Sequence, residues 1–353
     1  MDINLIGWGV EYPSCNYTNE ELCEIFNLPA HKAKEYEKML GIKERQMCID
    51  HRQGGIQVVR DDQMATEAAK RALDMAGLEP DDLDAIISTT TCLDYVTPGV
   101  AERVQSNLKI IEGHAINLMG GCAELINGII LAKYILQQEN KKNIMVTTTD
   151  VANAYYKNFT FPYELFITGD SAAAIILSKD KGGQFKIANT NFKTIGRMQS
   201  LMPIPLWGVK EPCPLIVENK EVHPFFEQMS NVDKKYRWRR KEVMASSNKI
   251  FVKNIIRISN ELLADRGGQL EDAYVVLPQF NKVMMEESAK QLNMDLDKVP
   301  DIAMHHGCEG TAAPIATFAK AYEMLDGYQG YQYVIMVALG INGSYGGVII
   351  DVK

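Results

Sequence analysis

The stretch from His114 to Leu136 narrows the possible folds more than any other part of this 353-residue chain. His114-Ala-Ile-Asn-Leu-Met119 reads as a short buried strand, Gly120-Gly121 gives a tight bend, and Cys122 opens the apolar run Ala123 to Leu136. Leu125, Ile126, Ile129, Ile130, Tyr134 and Ile135 spread round most of a helix surface, which predicts a buried helix instead of an amphipathic one. Cys122 then stands at the first turn, where unpaired backbone N–H groups and the helix dipole favour a thiolate and lower its pKa. An acyl-accepting nucleophile is built in that way. The same residue also reads as an inert small hydrophobe, because free cysteines are commonly buried.

Strand and helix patterns alternate along the whole chain. Asn4 to Val10 is strand-like, and Thr18-Asn-Glu-Glu has the form of a capping box ahead of a charged helix running toward Leu40. Gly54-Gly55 lies in a polar loop, and Asp62 to Ala76 carries an Ala-rich apolar face closed by Gly77. Strands are expected at Asp84–Thr91, Asn143–Thr149 and Ser171–Leu177, and a helix at Pro98–Leu108. Beyond residue 240 the pattern repeats: helices at Ile255–Asp265, Met284–Leu292 and Ala312–Met324, strands at Ala273–Leu277 and Asp301–His305, and a closing hairpin from Tyr333 to Val352. In both halves a helix ends at Gly, an acidic linker follows, and Asp-Ala leads into a buried strand. Two such α/β halves imply stacked layers with helices buried between sheets. The division expected is 1–190 for the first half with Cys122, 191–240 for an irregular Pro-, Met- and aromatic-rich pocket segment, and 241–353 for the second half.

A formal charge of −8 argues against a dedicated nucleic-acid binder, and the basic run Lys234 to Lys241 reads first as a solvated face. Seven cysteines, at 15, 23, 48, 92, 122, 213 and 308, show neither a CxxC pair nor metal-ligand spacing, so no metal site is expected and a reducing cytoplasm is. No signal peptide or membrane span is evident in the sequence.

Gly41-Ile-Lys-Glu-Arg45, Met64-Ala65 and Ala68-Ala69, Val104-Gln105-Ser106, Cys122-Ala123, Gly169-Asp170, Asn281 and the glycine-rich turn at Gly340 stand in a joint order that resembles the thiolase superfamily, nearest its β-ketoacyl-ACP synthase III-like branch. The resemblance covers nearly the whole chain. It implies a five-layered αβαβα sandwich, a homodimer, and an acyl-thioester on Cys122 formed from acyl-CoA or from the phosphopantetheine arm of an acyl carrier protein, with no bound cofactor. It also implies an oxyanion hole from the backbone N–H groups of Cys122 and Ile341.

The sequence departs from that family where the second catalytic step would be run. Pro278 stands where the family has a histidine, ahead of Gln279 and Asn281, and the turn His306-Gly-Cys-Glu-Gly310 puts Cys308 or Glu309 in place of an asparagine. Proline has no side-chain donor, and a carboxylate repels a developing enolate unless protonated. Three readings follow: Glu309 or His306 as general base for an incoming acceptor; Cys308 as a second thiol, for acid–base or redox chemistry; or a catalytically silent partner subunit of an active homologue. On a strand His305 and His306 would point to opposite faces, and His306 adjoins the turn. Glu124 either projects near the site or stabilises the helix start. Glu35 and Met39 stand near the places of the family's CoA-binding tryptophan and arginine, which points to a carrier protein as donor, with Lys282 and Lys290 as contacts for it. The acceptor is expected to be a small molecule. The first function expected is thus a synthase III-type acyltransferase; a non-decarboxylating transfer to an amine, hydroxyl or thiol is the next.

Overall fold

A computed structural model describes residues 2–151, 162–196 and 248–353, with all their side chains except those of 162–164. In the first half, β1 (Asn4–Glu11) leads to β2 (Cys15–Thr18), α1 (Asn19–Ile25), α2 (His31–Leu40) and β3 (Glu44–Met47). The short β4 (Ile49–Asp50) and β5 (Ile56–Gln57) precede α3 (Asp61–Ala76), β6 (Ala85–Thr90), α4 (Val100–Asn107), β7 (His114–Met119) and α5 (Glu124–Leu136). Then come β8 (Asn143–Asp150), α6 (Pro162–Ile167), β9 (Ser171–Ser178) and β10 (Phe185–Thr194). The second half has helix α7 (248–264), β11 (Ala273–Val276), α8 (Lys282–Gln291), α9 (Ile302–His306), α10 (Ala313–Met324), β12 (Tyr333–Leu339) and β13 (Ser344–Val352).

Nine strands form one sheet in the order β11-β12-β13-β10-β1-β9-β8-β6-β7. Its middle is narrow: β1 meets β10 only at Asn4↔Lys186 and Leu5↔Phe185. The sheet therefore acts as two halves that fold over a shared layer of helix. Ile126 and Ile129 of α5 and Ile315 and Phe318 of α10 pack there against Ile87 and Ile175 from one half and Val334 and Met336 from the other. Because strand side chains alternate, the neighbouring positions face outward. Ile86, Met145 and Ile176 meet α3 and α4, and Val275, Ile335 and Ile349 meet α7 and α8. Helix, sheet, helix, sheet, helix is the αβαβα arrangement that the family resemblance implied, with the buried helix layer expected from the duplicated pattern.

The structure corrects several expectations. β7 is the last strand of its sheet and half-exposed, with Met119 56% accessible, because α4 and α5 cover it incompletely and its outer edge has no strand beside it among the described residues. Tyr134 of α5 is likewise exposed. The helix expected from Thr18 to Leu40 is two helices: the Thr18–Glu21 capping box forms, but Asn27 takes φ 50° and Pro29 follows, which breaks the run. Asp301–His305 is no strand; the Asp301 carboxylate accepts from the Met304 N–H at 3.2 Å and starts a short helix. The boundary at 190 cuts β10, which pairs with β13 from Phe185 through Thr194 and so belongs to the second half's sheet. Most of 191–240, with the basic run, lies outside the described residues.

β1 lies unusually close to α3. A Cβ placed on Gly7 or Gly9 would come within 2.3 Å of the Ala72 carbonyl oxygen or 2.2 Å of the Ala68 carbonyl oxygen. These are backbone atoms of a buried helix and cannot swing aside. Gly9→Ala is therefore expected to destabilise the fold by about 1–3 kcal/mol, read as a lower midpoint in urea unfolding with an unchanged slope.

Candidate active site

Cys122 lies in the turn between β7 and α5, two residues before the helix begins. Two glycines let this turn meet the one after β12. A Cβ on Gly121 would come 2.3 Å from Asn342 Oδ1, and one on Gly340 would come 3.3 Å from the Cys122 nitrogen. The second turn is latched internally: Gly340 N–H donates to the Ser344 carbonyl at 2.7 Å, and Asn342 Oδ1 accepts from the Ser344 hydroxyl at 2.6 Å. The N–H groups of Cys122 and Ile341 donate to no backbone carbonyl among the described residues.

The thiol borders a cleft of about 10 Å³, room for roughly one water, shared with Pro278, Phe280, Cys308, Gly310 and Ala338. Burial pushes the Cys122 thiol well above the usual cysteine range, and the neighbouring Asp150 and Cys308 push the same way; its own backbone N–H offsets them only in part. The expected lowering at a helix start does not occur, because the sulfur sits ahead of the first helical turn and loses more by desolvation than the N–H group returns.

The turn from His306 to Ala312 carries the other candidates, and backbone bonds hold it in place. Cys308 N–H donates to the Ile167 carbonyl at 2.7 Å, and Gly169 N–H to the Cys308 carbonyl at 3.1 Å. Gly169 must be glycine here, since a Cβ would come 1.6 Å from the His306 carbonyl oxygen. This arrangement aims Cys308 into the cleft, its thiol pushed up to about 12 by burial. Glu309 does not border the cleft. Its side chain is fully buried beside the Tyr12 phenol, and neither carboxylate oxygen has a well-formed hydrogen bond among the described residues. Burial holds its carboxyl at about 8, against a partial downward pull from Tyr12. His306 stacks on the Tyr12 ring, with ring centroids 4.1 Å apart, and its Nδ1 lies 2.8 Å from Gln46 Oε1. Burial lowers its pKa, as does His305, which itself is exposed and paired with Glu44 at 3.0 Å.

The remaining candidates are mostly structural. Gln279 borders the cleft, but its amide donates to the Pro300 carbonyl at 2.9 Å and accepts from the Ala303 N–H at 3.4 Å. Asn281 caps α8 by accepting from the Met284 N–H at 2.9 Å. Glu124 folds back over Gly120 and accepts from Asn127 Nδ2 at 2.9 Å, the helix-start role instead of a place in the cleft. Arg45 of the Gly-Ile-x-x-Arg motif is wholly buried and donates to Asn19 Oδ1 at 2.7 Å and the Phe166 carbonyl at 2.8 Å, tying α1 to α6. Exposed Glu35 pairs with Lys32, and Lys282 lies along Gly41.

Sequence reasoning missed Asp150, at the carboxyl end of β8. It is buried, accepts from the Thr91 hydroxyl at 2.7 Å and from the Thr311 N–H at 3.1 Å, and its charge reaches both cleft thiols. The available signal was a lone carboxylate closing the Thr-rich strand Asn143–Thr149; in the sheet this strand is separated from the one leading to Cys122 by β6 alone.

Two family models match the chain: the one described as 3-oxoacyl-[acyl-carrier-protein] synthase III over residues 116–196, and its C-terminal counterpart over 263–352. The β-ketoacyl-[acyl-carrier-protein] synthase III of Chlamydia caviae is 24% identical over 310 residues, which cover 88% of this chain and 86% of that one. The crystal structure of the 3-oxoacyl-[acyl-carrier-protein] synthase III of Aquifex aeolicus superposes with a TM-score of 0.77 at 22% identity, over 99% of both chains. AbyA1, a tetronic acid condensing enzyme, does so at 0.80 and 17%, again over 99% of each. Sequence and fold together define a thiolase-superfamily protein. The chain belongs to the β-ketoacyl-ACP synthase III-like branch of that superfamily.

Glu309 gives a stability test. Its carboxyl titrates near 8 in the fold against 4.5 when free, so the folded state holds the extra proton between those values and stability falls as pH rises through that window. Glu309→Gln removes the titration. The variant is expected to lose less melting temperature than the parent between pH 5 and pH 8.5, a difference worth on the order of a few kcal/mol. Parallel melting curves would show that this carboxyl ionises normally.

Proposed function

We propose that the protein is an acyltransferase of the β-ketoacyl-ACP synthase III type that carries its acyl group on Cys122 and passes it to an acceptor bringing its own nucleophile. The observation that carries this is the pairing of Cys122 with the Gly340–Ser344 turn. The two turns touch at Gly340 and the Cys122 nitrogen, and the N–H groups of Cys122 and Ile341, without backbone acceptors among the described residues, are the pair we assign to the oxyanion of a tetrahedral intermediate. The Cys122 sulfur attacks the donor thioester, the donor thiol leaves, and the acceptor then displaces Cys122 from the acyl carbon. No bound cofactor is needed for either step.

Transfer is favoured over decarboxylative condensation by what borders the cleft. Pro278 offers no donor, and the amide of Gln279 is already engaged at both ends. An enolate released from a malonyl unit would meet one side-chain donor among the described residues, the Cys308 thiol, where the family uses two. A carrier protein's phosphopantetheine is the donor we infer, because Glu35 and Met39 stand near the places of the family's adenine-stacking tryptophan and phosphate-binding arginine, and a carboxylate there disfavours a nucleotide phosphate. Lys282 and Lys290 of α8 would face the acidic carrier. The bare outer edge of β7, with exposed Met119 and with Ile111 92% accessible just before it, supports a homodimer joined along that edge.

Intact-protein mass spectrometry after incubation with acyl-carrier proteins and acyl-CoAs tests the proposal. A mass gain of one acyl group is expected from a carrier donor and none in Cys122→Ala. A chase with malonyl-carrier is expected to release no carbon dioxide, whereas amine, hydroxyl or thiol acceptors discharge the adduct. Failure of every donor would move the protein to the role of a silent partner subunit, and carbon dioxide release would restore the condensing reading.

A further inference from the structure

We propose that Phe280 is the specificity-determining residue of the Cys122 cleft: its ring is the wall that gives way to an acyl group, and the space it then leaves sets the longest chain that Cys122 carries. The inference rests on the Cys122 thioester reading and deepens it by naming the side chain that selects the acyl donor. It starts from size. The cleft beside the thiol is about 10 Å³, room for roughly one water, and even an acetyl group is larger than a water molecule. Some part of the wall therefore moves when Cys122 is acylated.

Most of that wall cannot move. Pro278 and Pro314 are buried closed rings, and Gly310, Ala313 and Ala338 have no side-chain torsion to turn. Gln279 is buried, and its amide is held at both ends, by the Pro300 carbonyl at 2.9 Å and the Ala303 N–H at 3.4 Å. Leu339 is buried in β12 and interlocked with the core beneath α7 and α8. Cys308 has a single side-chain atom beyond Cβ, on a turn fixed by its backbone bonds to Ile167 and Gly169. Among the described residues that border the cleft this leaves Phe280, the one large side chain there that is only partly buried.

The chain on either side of Phe280 is fixed while its ring is not. Gln279 is tied as above, and Asn281 caps α8 by accepting from the Met284 N–H at 2.9 Å. Those bonds pin the link between β11 and α8, so the freedom that remains is in the two torsions of the phenyl side chain. The restraint on the ring is aromatic. It stacks on Phe251 near the start of α7, with centroids 5.3 Å and planes 24° apart, beside a 3.4 Å contact from Asn281 Nδ2 to Asn248 Oδ1. A ring held by stacking, with no polar bond to break, turns aside for a short chain. It cannot leave the wall, because Phe251 is itself buried and stands behind it, so a long chain would have to displace both rings. The donors this site favours are short-chain acyl thioesters, and substitution at Phe280 moves the limit.

The test is a ratio of acylation rates with carrier donors of increasing chain length, read by intact-protein mass spectrometry without acceptor. The parent is expected to take acetyl about 10-fold faster than octanoyl or more, and Phe280→Ala to raise the octanoyl-to-acetyl ratio by a similar factor, with Phe280→Leu between them. A ratio within one variant does not depend on the fraction of molecules that fold, so a destabilised variant still reports. Alkylation of Cys122, measured against Cys122→Ala, reads the same wall without an acyl donor: the sulfur displaces iodide from either reagent, and N-octyl iodoacetamide should gain on iodoacetamide in Phe280→Ala. An unchanged ratio in Phe280→Ala in either series, or a parent that takes octanoyl as fast as acetyl, would overturn the proposal. A parent that takes no acyl group from any donor would sink the thioester reading instead, and the alkylation ratio would still decide for or against Phe280.

Discussion

Burial of α5 between the two sheet halves is the constraint from which the rest of the site follows. Ile126 and Ile129 can be covered on both sides only if β6 and β9 lie on one flank and β12 on the other. That fixes the start of α5 where the carboxyl ends of β6 and β8 and the turn after β12 converge, so Cys122 receives its neighbours from three chain segments far apart in sequence. The same packing leaves Cys122 half-buried on a cleft with room for roughly one water. The layer packing that positions the nucleophile also raises the cost of ionising it, and the two effects cannot be separated by any change at Cys122 alone.

Glycine is what allows those segments to touch. Gly121 and Gly340 bring the nucleophile turn to the turn after β12, Gly169 admits the His306 carbonyl, and Gly310 admits the Asp150 carboxylate. At each of these positions a methyl group would collide with a backbone atom or with a side chain that is itself held. The Gly-Asp and terminal glycine motifs that made the family visible are therefore packing devices around the site. Arg45 is the same kind of feature: its guanidinium is spent on the Tyr17 and Phe166 carbonyls and on Asn19, holding the loops that back the Cys308 turn.

Periodicity made the layers legible, because a strand with apolar residues on both faces and a helix apolar all round admit few packings. Ala65 to Ala76, Ala85 to Thr90 and Ser171 to Leu177 were readable for that reason. Cys122 was readable because a thiol after Gly-Gly and before a buried helix is an unusual local arrangement. Facts that depend on sequence-distant neighbours were not readable. The half-exposure of β7 depends on its place in the sheet order, and the turn of Glu309 toward Tyr12 follows a short helix, Ile302–His306, where a strand was expected. Asp150 showed only as the residue after a strand, because its partners Thr91 and Thr311 are 59 and 161 positions away.

Pro278 in place of the family's histidine, and Cys308 or Glu309 in place of its asparagine, change more than the donor count. An imidazole can offer a proton, accept one and carry positive charge; a buried thiol offers a weak proton and no charge at all. A site built on thiols therefore cannot stabilise an enolate by attraction, and must rely on the fixed N–H dipoles at Cys122 and Ile341 for every oxyanion it forms. In the proposed reading those dipoles serve the carbonyl oxygen of an acyl group on Cys122, and a malonyl carbonyl would need a second set. In the proposed reading, with one oxyanion site and the second reduced to a neutral thiol, the favoured chemistry is attack on an acyl-cysteine by a group that is already nucleophilic.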